Sequence, residues 1–304
     1  MSTRHLVDPE LLPMLDMLPQ ADFTPERLPE ARAMAAQRVE AMPGPAPSQV
    51  VTIDGPDGAP RLEVRLFHPP GGASAKGAVL HVHGGGFIVG SAAMNDAGNA
   101  AMAERNGVLV ASVDYRLAPE TPFPGPLEDC FAALTWLQAH SPGPIVVAGE
   151  SAGGGLAAAL ALLARDRGLP PLSGQVLTYP MLDPASADSQ NGGTGEFVWT
   201  RNSNRFGWSA MRGTAPIPQE RLHHFAPALC SDLGGVAPAY IAVGSLDLFL
   251  DEDLAYAAQL SSSGVPVEMH VYPGAFHGFE LMPGARVAAR YRADLANALD
   301  RFLE

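Results

Sequence analysis

The chain has 304 residues, a net charge of −13, and 47% hydrophobic against 17% charged residues. That is a globular composition, long enough for one α/β domain with a small cap, and its acidity argues against nucleic acid or an anionic membrane as a partner. No stretch approaches the ~18 uninterrupted apolar residues of a membrane span, and the first ten residues lack the apolar core of a signal peptide, so a cytoplasmic protein is expected.

Residues 1–48 are rich in proline. Pro9-Glu10-Leu11-Leu12 opens one short helix, and Thr24-Pro25-Glu26 reads as the cap and first turn of another. Met14, Leu15, Leu18 and Leu28 give these helices an apolar side with nothing local to bury it. They are expected to pack on the main body as a cap. The run Pro43-Gly44-Pro45-Ala46-Pro47 then acts as a linker.

Strands follow. Val50–Ile53 and Leu62–Phe67 flank a Gly-Pro-Asp-Gly turn at 55–58, the pattern of a hairpin. Apolar, β-branched runs at 77–83, 108–114, 144–148, 175–180, 239–244 and 267–271 read as further strands. Helical patterns occupy 127–138, 152–167, 254–260 and 284–303. Apolar strands alternating with helices predict an α/β fold. The expected architecture is a mostly parallel, twisted sheet of about eight strands with helices on both faces. The core spans 49–183 and 229–304. Residues 184–228 separate two strands and are too long for a bare connection, so they are expected to be a cap insertion with its own helix. Phe197, Trp199, Phe206 and Trp208 lie in it and could line an apolar pocket or fasten the cap to the body. Cys130 and Cys230 are far apart in apolar segments and read as buried free thiols.

The organising stretch is Gly149-Glu150-Ser151-Ala152-Gly153. It is a Gly-x-Ser-x-Gly motif between a strand and an Ala/Leu-rich helix, the context of a nucleophile elbow. Serine is a weak nucleophile, and it needs a base and donors for an oxyanion. His83-Gly84-Gly85-Gly86-Phe87 follows the third strand and matches the oxyanion loop of lipases and esterases. The expected donors are the N–H groups of Gly85, Gly86 and Ala152, with His83 ordering the loop. Neither a P-loop nor a dinucleotide-binding spacing is present there.

Nine histidines compete for the role of base. His277 lies in the glycine-rich loop 273–279 after the last strand, at the carboxyl edge of the sheet where sites form. His5, His68, His140, His223 and His224 read as surface or cap residues, and His81 and His270 as core or edge residues. Asp247 follows the strand 239–244 and is the candidate acid. Asp251, Glu252 and Asp253 read as the acidic first turn of the next helix, with Glu252 a candidate support for the site. The order Ser151, Asp247, His277 is that of α/β-hydrolases.

Taken together, His83-Gly84-Gly85-Gly86-Phe87, Asp114-Tyr115-Arg116-Leu117-Ala118-Pro119-Glu120, the elbow with Gly154, Tyr179-Pro180 and Phe276-His277-Gly278-Phe279 resemble the bacterial branch of the hormone-sensitive-lipase-like family of α/β-hydrolases. The resemblance runs from about residue 75 to the end. It implies a carboxylesterase on short- to medium-chain acyl esters, a small-molecule ester as substrate, no cofactor and no metal, a helical cap, and a homodimer as one candidate assembly. It also implies that residues 115–120 brace the sheet beside the oxyanion loop. Phe87, Trp199, Phe206 and Phe249 are the candidate substrate-lining residues.

The chain departs from the family pattern in three places. Glu150 stands where Asp is usual, Gly155 where Asn is frequent, and Leu248 where the acid loop commonly has proline. Phe249 then falls beside the acid and is expected to narrow the acyl pocket. N-formyl amides and lactones are alternative substrates on the same triad. A non-catalytic ligand-binding protein is a further alternative, opposed by the presence of all three triad residues.

Overall fold

The computed structural model describes residues 2–17, 21–141 and 143–304; Leu18, expected on the apolar side of the first helix, lies outside them. Two helices, α1 (Leu12–Met17) and α2 (Leu28–Ala41), precede the sheet. Thr24 does not cap α2. Its carbonyl accepts from the N–H groups of Arg27 and Leu28 in a turn, and the helix opens at Leu28 with Pro29 in its first turn. Proline suits that place because its missing N–H would go unpaired there.

The sheet follows as β1 (Gln49–Ile53), β2 (Leu62–Phe67), β3 (Ala78–Val82), β4 (Leu109–Val113), β5 (Ile145–Glu150), β6 (Gly174–Thr178), β7 (Ala239–Gly244) and β8 (Val267–Tyr272), with spatial order β1-β2-β4-β3-β5-β6-β7-β8. β1 and β2 form the antiparallel hairpin, with Val51 opposite Val64, and β2 is antiparallel to β4. Every later pairing is parallel. β3, β4, β6 and β7 are buried at every residue, which is why their sequences are near-continuous apolar runs rather than alternations.

Helices α3 (Asp96–Asn106), α4 (Gly125–His140), α5 (Ala152–Asp166), α8 (Leu250–Ser262) and α9 (Arg286–Phe302) cover the sheet. The apolar pattern did not mark α3. Its buried positions are Asp96, Asn99, Ala103 and Asn106, small or polar residues paired through Arg65, Ala296 and Asp300. By contrast, α5 is buried from Ala152 to Ala164, as its Ala/Leu composition demands. Cys130 is buried, whereas Cys230 is only half-buried, because it lies in the turn after residues 227–229 and its thiol reaches the Asp232 carbonyl.

Between β6 and β7 lie α6 (Arg201–Arg212) and α7 (Leu222–Phe225). The N-terminal segment is tied to this insertion. Glu196 accepts from Ser2 and Thr3, and Asp22 accepts from Thr200 and Asn202. The Phe23 N–H donates to Ser203 Oγ, and the Phe23 ring lies 5.6 Å from Trp199. Among the described residues no helix is long and apolar enough to cross a membrane.

Candidate active site

Ser151 sits between β5 and α5 with φ 57° and ψ −123°, a strained conformation for a residue with a β-carbon. The flanking glycines are required by close approach. A β-carbon on Gly149 would stand 2.4 Å from the Gly153 carbonyl oxygen, and one on Gly153 would stand 2.1 Å from that of Val82. Strand, turn and helix therefore cross with no room for a side chain, and the serine is thrown out at the sheet edge.

The loop after β7 and the loop after β8 are laced together there. Leu246 N–H donates to the Ala275 carbonyl, and Gly274 N–H donates to Ser245 Oγ. This brings Asp247 and His277 to the serine. His277 Nε2 is 3.0 Å from Ser151 Oγ, and His277 Nδ1 is 2.9 Å from Asp247 Oδ2. The other carboxylate oxygen of Asp247 accepts from Phe249 N–H at 3.0 Å, which fixes its orientation. Ser151, Asp247 and His277 are all buried. Rings of Tyr179, Phe249 and Trp199 surround the imidazole with centroids at 4.4, 5.4 and 6.2 Å. Burial in such surroundings strengthens each electrostatic contact there.

The glycine loop 83–87, the expected oxyanion loop, follows β3. Gly85 and Gly86 have φ of 117° and 60°, left-handed values that glycine adopts without the strain a β-carbon brings. The N–H groups of Gly85, Gly86 and Ala152 donate to no acceptor among the described residues, which leaves them free for a ligand oxygen. His83 is held rather than reactive. Burial pushes its pKa down to about 4, so the ring is neutral. Its Nδ1 lies 2.8 Å from the Gly84 carbonyl, and the ring stacks on Tyr115 at 4.2 Å. Tyr115 donates to the His83 carbonyl, Ala118 N–H to that of Phe87, and Arg116 pairs with buried Asp129. The segment 115–120 thus ties the loop to α4.

The candidate lining residues separate. Trp199 and Phe249 stand over His277. Phe87 has φ 68° and its ring meets Trp208 at 5.3 Å. Phe206 is half-buried on α6 and makes no ring contact among the described residues. Glu252 and Asp253 are not a solvated first turn: both are buried, and burial pushes both carboxyls well above the usual range. Glu252 accepts from Leu182 N–H and Ser186, clamping the start of the insertion to α8.

One neighbour of the triad was not singled out from sequence. Glu280 accepts from Tyr179 OH at 2.5 Å, and Tyr179 in turn packs on His277. Burial pushes the Glu280 carboxyl up to about 7. Its place three residues after His277 was the only available signal. The remaining histidines have partners other than Ser151. His81 meets Ser112 and Glu150, His270 meets Glu268, His140 stacks on Trp136, and His5 and His68 are exposed. Among the described residues, Asp166, His223 and His224 are the group able to hold a metal ion together, at the far end of α5.

Comparison with known proteins shows the family and the fold. A family model described as the alpha/beta hydrolase fold matches residues 79–281. Esterase LipI of Mycobacterium tuberculosis is 33% identical over 93% of this chain and 91% of its own. Ethyl acetate hydrolase of Pseudomonas putida is 34% identical over 90% of this chain and 86% of its own. The solved structure titled bacterial heroin esterase superposes with a TM-score of 0.91 at 37% identity, covering 100% of both chains.

Proposed function

The chain belongs to the hormone-sensitive-lipase-like family of α/β-hydrolases, and on that premise we propose that it is a serine carboxylesterase acting on short- to medium-chain acyl esters. The observation that carries this reading is the buried relay from Asp247 through His277 to Ser151, with contacts of 2.9 and 3.0 Å. Relatives named esterase and ethyl acetate hydrolase support the ester class.

In this mechanism Ser151 Oγ attacks the ester carbonyl carbon while His277 Nε2 takes the hydroxyl proton. Asp247 holds the ring by Nδ1 and stabilises the imidazolium. The carbonyl oxygen, now negative, takes hydrogen bonds from the N–H groups of Gly85, Gly86 and Ala152. Losing one such donor typically costs roughly 3 kcal/mol of barrier. His277 returns its proton to the departing alcohol, leaving an acyl-serine. Water then adds to the acyl carbon by the same route, releasing the acid and restoring Ser151.

Residues 1–48 and 184–228 act as the cap in this reading, and Trp199 and Phe249 bound the space at the triad. Their crowding of His277 favours short acyl chains. A cytoplasmic location and a homodimer belong to the same proposal, and light scattering on the purified protein decides the dimer. The functional test is hydrolysis of p-nitrophenyl esters from acetate to palmitate beside Ser151→Ala. Activity is expected to peak at a short chain and vanish in the variant. A folded protein that leaves every ester intact overturns the reading; formanilide and lactone substrates in the same assay then separate an amidase or lactonase from a binding protein.

A further inference from the structure

We propose that Asp166, His223 and His224 form a binding site for a divalent transition-metal ion of the zinc type, which fastens the insertion 184–228 to the core. The proposal is independent of the reaction at Ser151.

Asp166 is the last residue of α5, and the two histidines are neighbours on α7. His223 Nε2 and His224 Nε2 lie 2.9 and 2.8 Å from the same oxygen, Asp166 Oδ2. The two rings stand 4.0 Å apart, tilted by 50°. Three ligand atoms from two separate elements therefore converge, all within 4.8 Å of one another. In a tetrahedral zinc site with bonds of about 2.0–2.1 Å, neighbouring ligand atoms stand about 3.3 Å apart. The cluster has to open by about half an ångström, which the partly exposed His223 ring allows.

The donor chemistry fits. Two imidazole nitrogens and one carboxylate oxygen suit zinc, cobalt, nickel or copper, and do not suit magnesium or calcium. Ligating histidine must be neutral and ligating carboxylate ionised. Arg165 Nε binds the other oxygen of Asp166 at 2.8 Å and is itself held by the carbonyls of Asp232 and Gly234. It orients the carboxylate toward the histidines, as outer partners of metal ligands do. A surface cleft of about 590 Å³, lined also by Gln219, Cys230 and Asp232, opens on the cluster and gives an ion access and room for water.

Ser151 caps one end of α5 and Asp166 ends the other. At 1.5 Å per residue the two lie about 22 Å apart, too far for the ion to touch the reacting atoms. Its effect is on stability: an ion bound only by the folded chain raises the melting temperature.

The test uses the untagged full chain, stripped with chelator. Zinc chloride is titrated in by calorimetry, and melting is followed with and without it. One equivalent is expected to bind at micromolar concentration or below, and a 100-fold excess over Kd is expected to raise the melting temperature by about 5 °C. Magnesium chloride is expected to do neither. His223→Ala, at a partly exposed position, is expected to keep its fold and its ester hydrolysis and to weaken zinc binding about 100-fold. Asp166→Asn, checked for folding by circular dichroism, is expected to weaken it likewise. Native protein that takes up no zinc below millimolar overturns the proposal, as does equal binding by the native chain and His223→Ala.

Discussion

Trp199 covers Gly86 so closely that a β-carbon on the glycine would stand 2.1 Å from the indole ring. The indole is itself fixed, its Nε1 donating to Asn204 Oδ1 at 3.1 Å and its face meeting Phe23. A residue of the insertion, 48 positions after Ser151, thus reaches back onto the Gly85-Gly86 loop, with the N-terminal segment packed behind it.

Gly86→Ala should therefore cost both activity and stability. The left-handed φ of 60° strains any β-carbon, and the indole leaves that carbon no space. The loop must shift, and the Gly86 and Gly85 amides leave their aim. kcat for p-nitrophenyl acetate is expected to fall by about 10² to 10³, and urea denaturation to show a loss of about 1–3 kcal/mol. Wild-type kinetics in a folded Gly86→Ala protein would remove Gly86 from the oxyanion hole.

Asp247→Asn separates orientation from packing. The side chain keeps its size and its acceptor for Phe249 N–H, but an amide facing Nδ1 favours the wrong tautomer of His277. The expected fall in kcat is about 10⁴-fold, with the far-ultraviolet spectrum unchanged. A fall of less than tenfold would transfer the role of acid to another group, of which buried Asp253, in the first turn of α8, is a candidate.

Legibility from sequence followed the range of the interactions. The elbow, the oxyanion loop and the two loops carrying Asp247 and His277 are short motifs whose glycines answer local backbone demands, so they could be read directly. The central strands were readable because burial on both faces forces continuous apolar runs. What was not readable depends on contacts distant in sequence. α3 buries Asn99 and Asn106, which look like surface residues until His81, Ala296 and Asp300 are placed beside them. Glu252 and Asp253 resemble an acidic helix start, and only the return of residues 182–186 buries Glu252. Trp199 could be recognised as an aromatic of the insertion, but its position over Gly86 belongs to the tertiary fold.

Phe249→Ala tests the narrow acyl space. Phe249 is fully buried and meets His277 edge-on at 5.4 Å. Truncation leaves a cavity beside the imidazole and is expected to cost about 3–5 kcal/mol of stability. In the folded fraction the preferred p-nitrophenyl ester should move to a longer acyl chain. An unchanged chain-length profile would make Phe249 a packing residue with no part in selectivity.

Glu280 gives the fold a pH dependence of definite sign. Burial raises its carboxyl from the ordinary 4.5 to about 7, so the folded chain holds that proton more tightly than the unfolded chain. The resulting stabilisation is fully present below about pH 4.5 and is lost as pH rises through about 7. The gap between those values corresponds to at most about 3 kcal/mol. Glu280→Gln keeps a carbonyl to accept from Tyr179 OH but has no proton to release. Urea denaturation at pH 5, 6, 7 and 8 should show the native protein losing stability relative to the variant across that window, with the variant the more stable of the two at pH 8 when both are compared with their own values at pH 5. Other titrating groups move both curves together, so the difference between them isolates Glu280. Curves that stay parallel from pH 5 to 8 would mean that Glu280 titrates like an exposed carboxylate and is already ionised beside Tyr179 throughout the range.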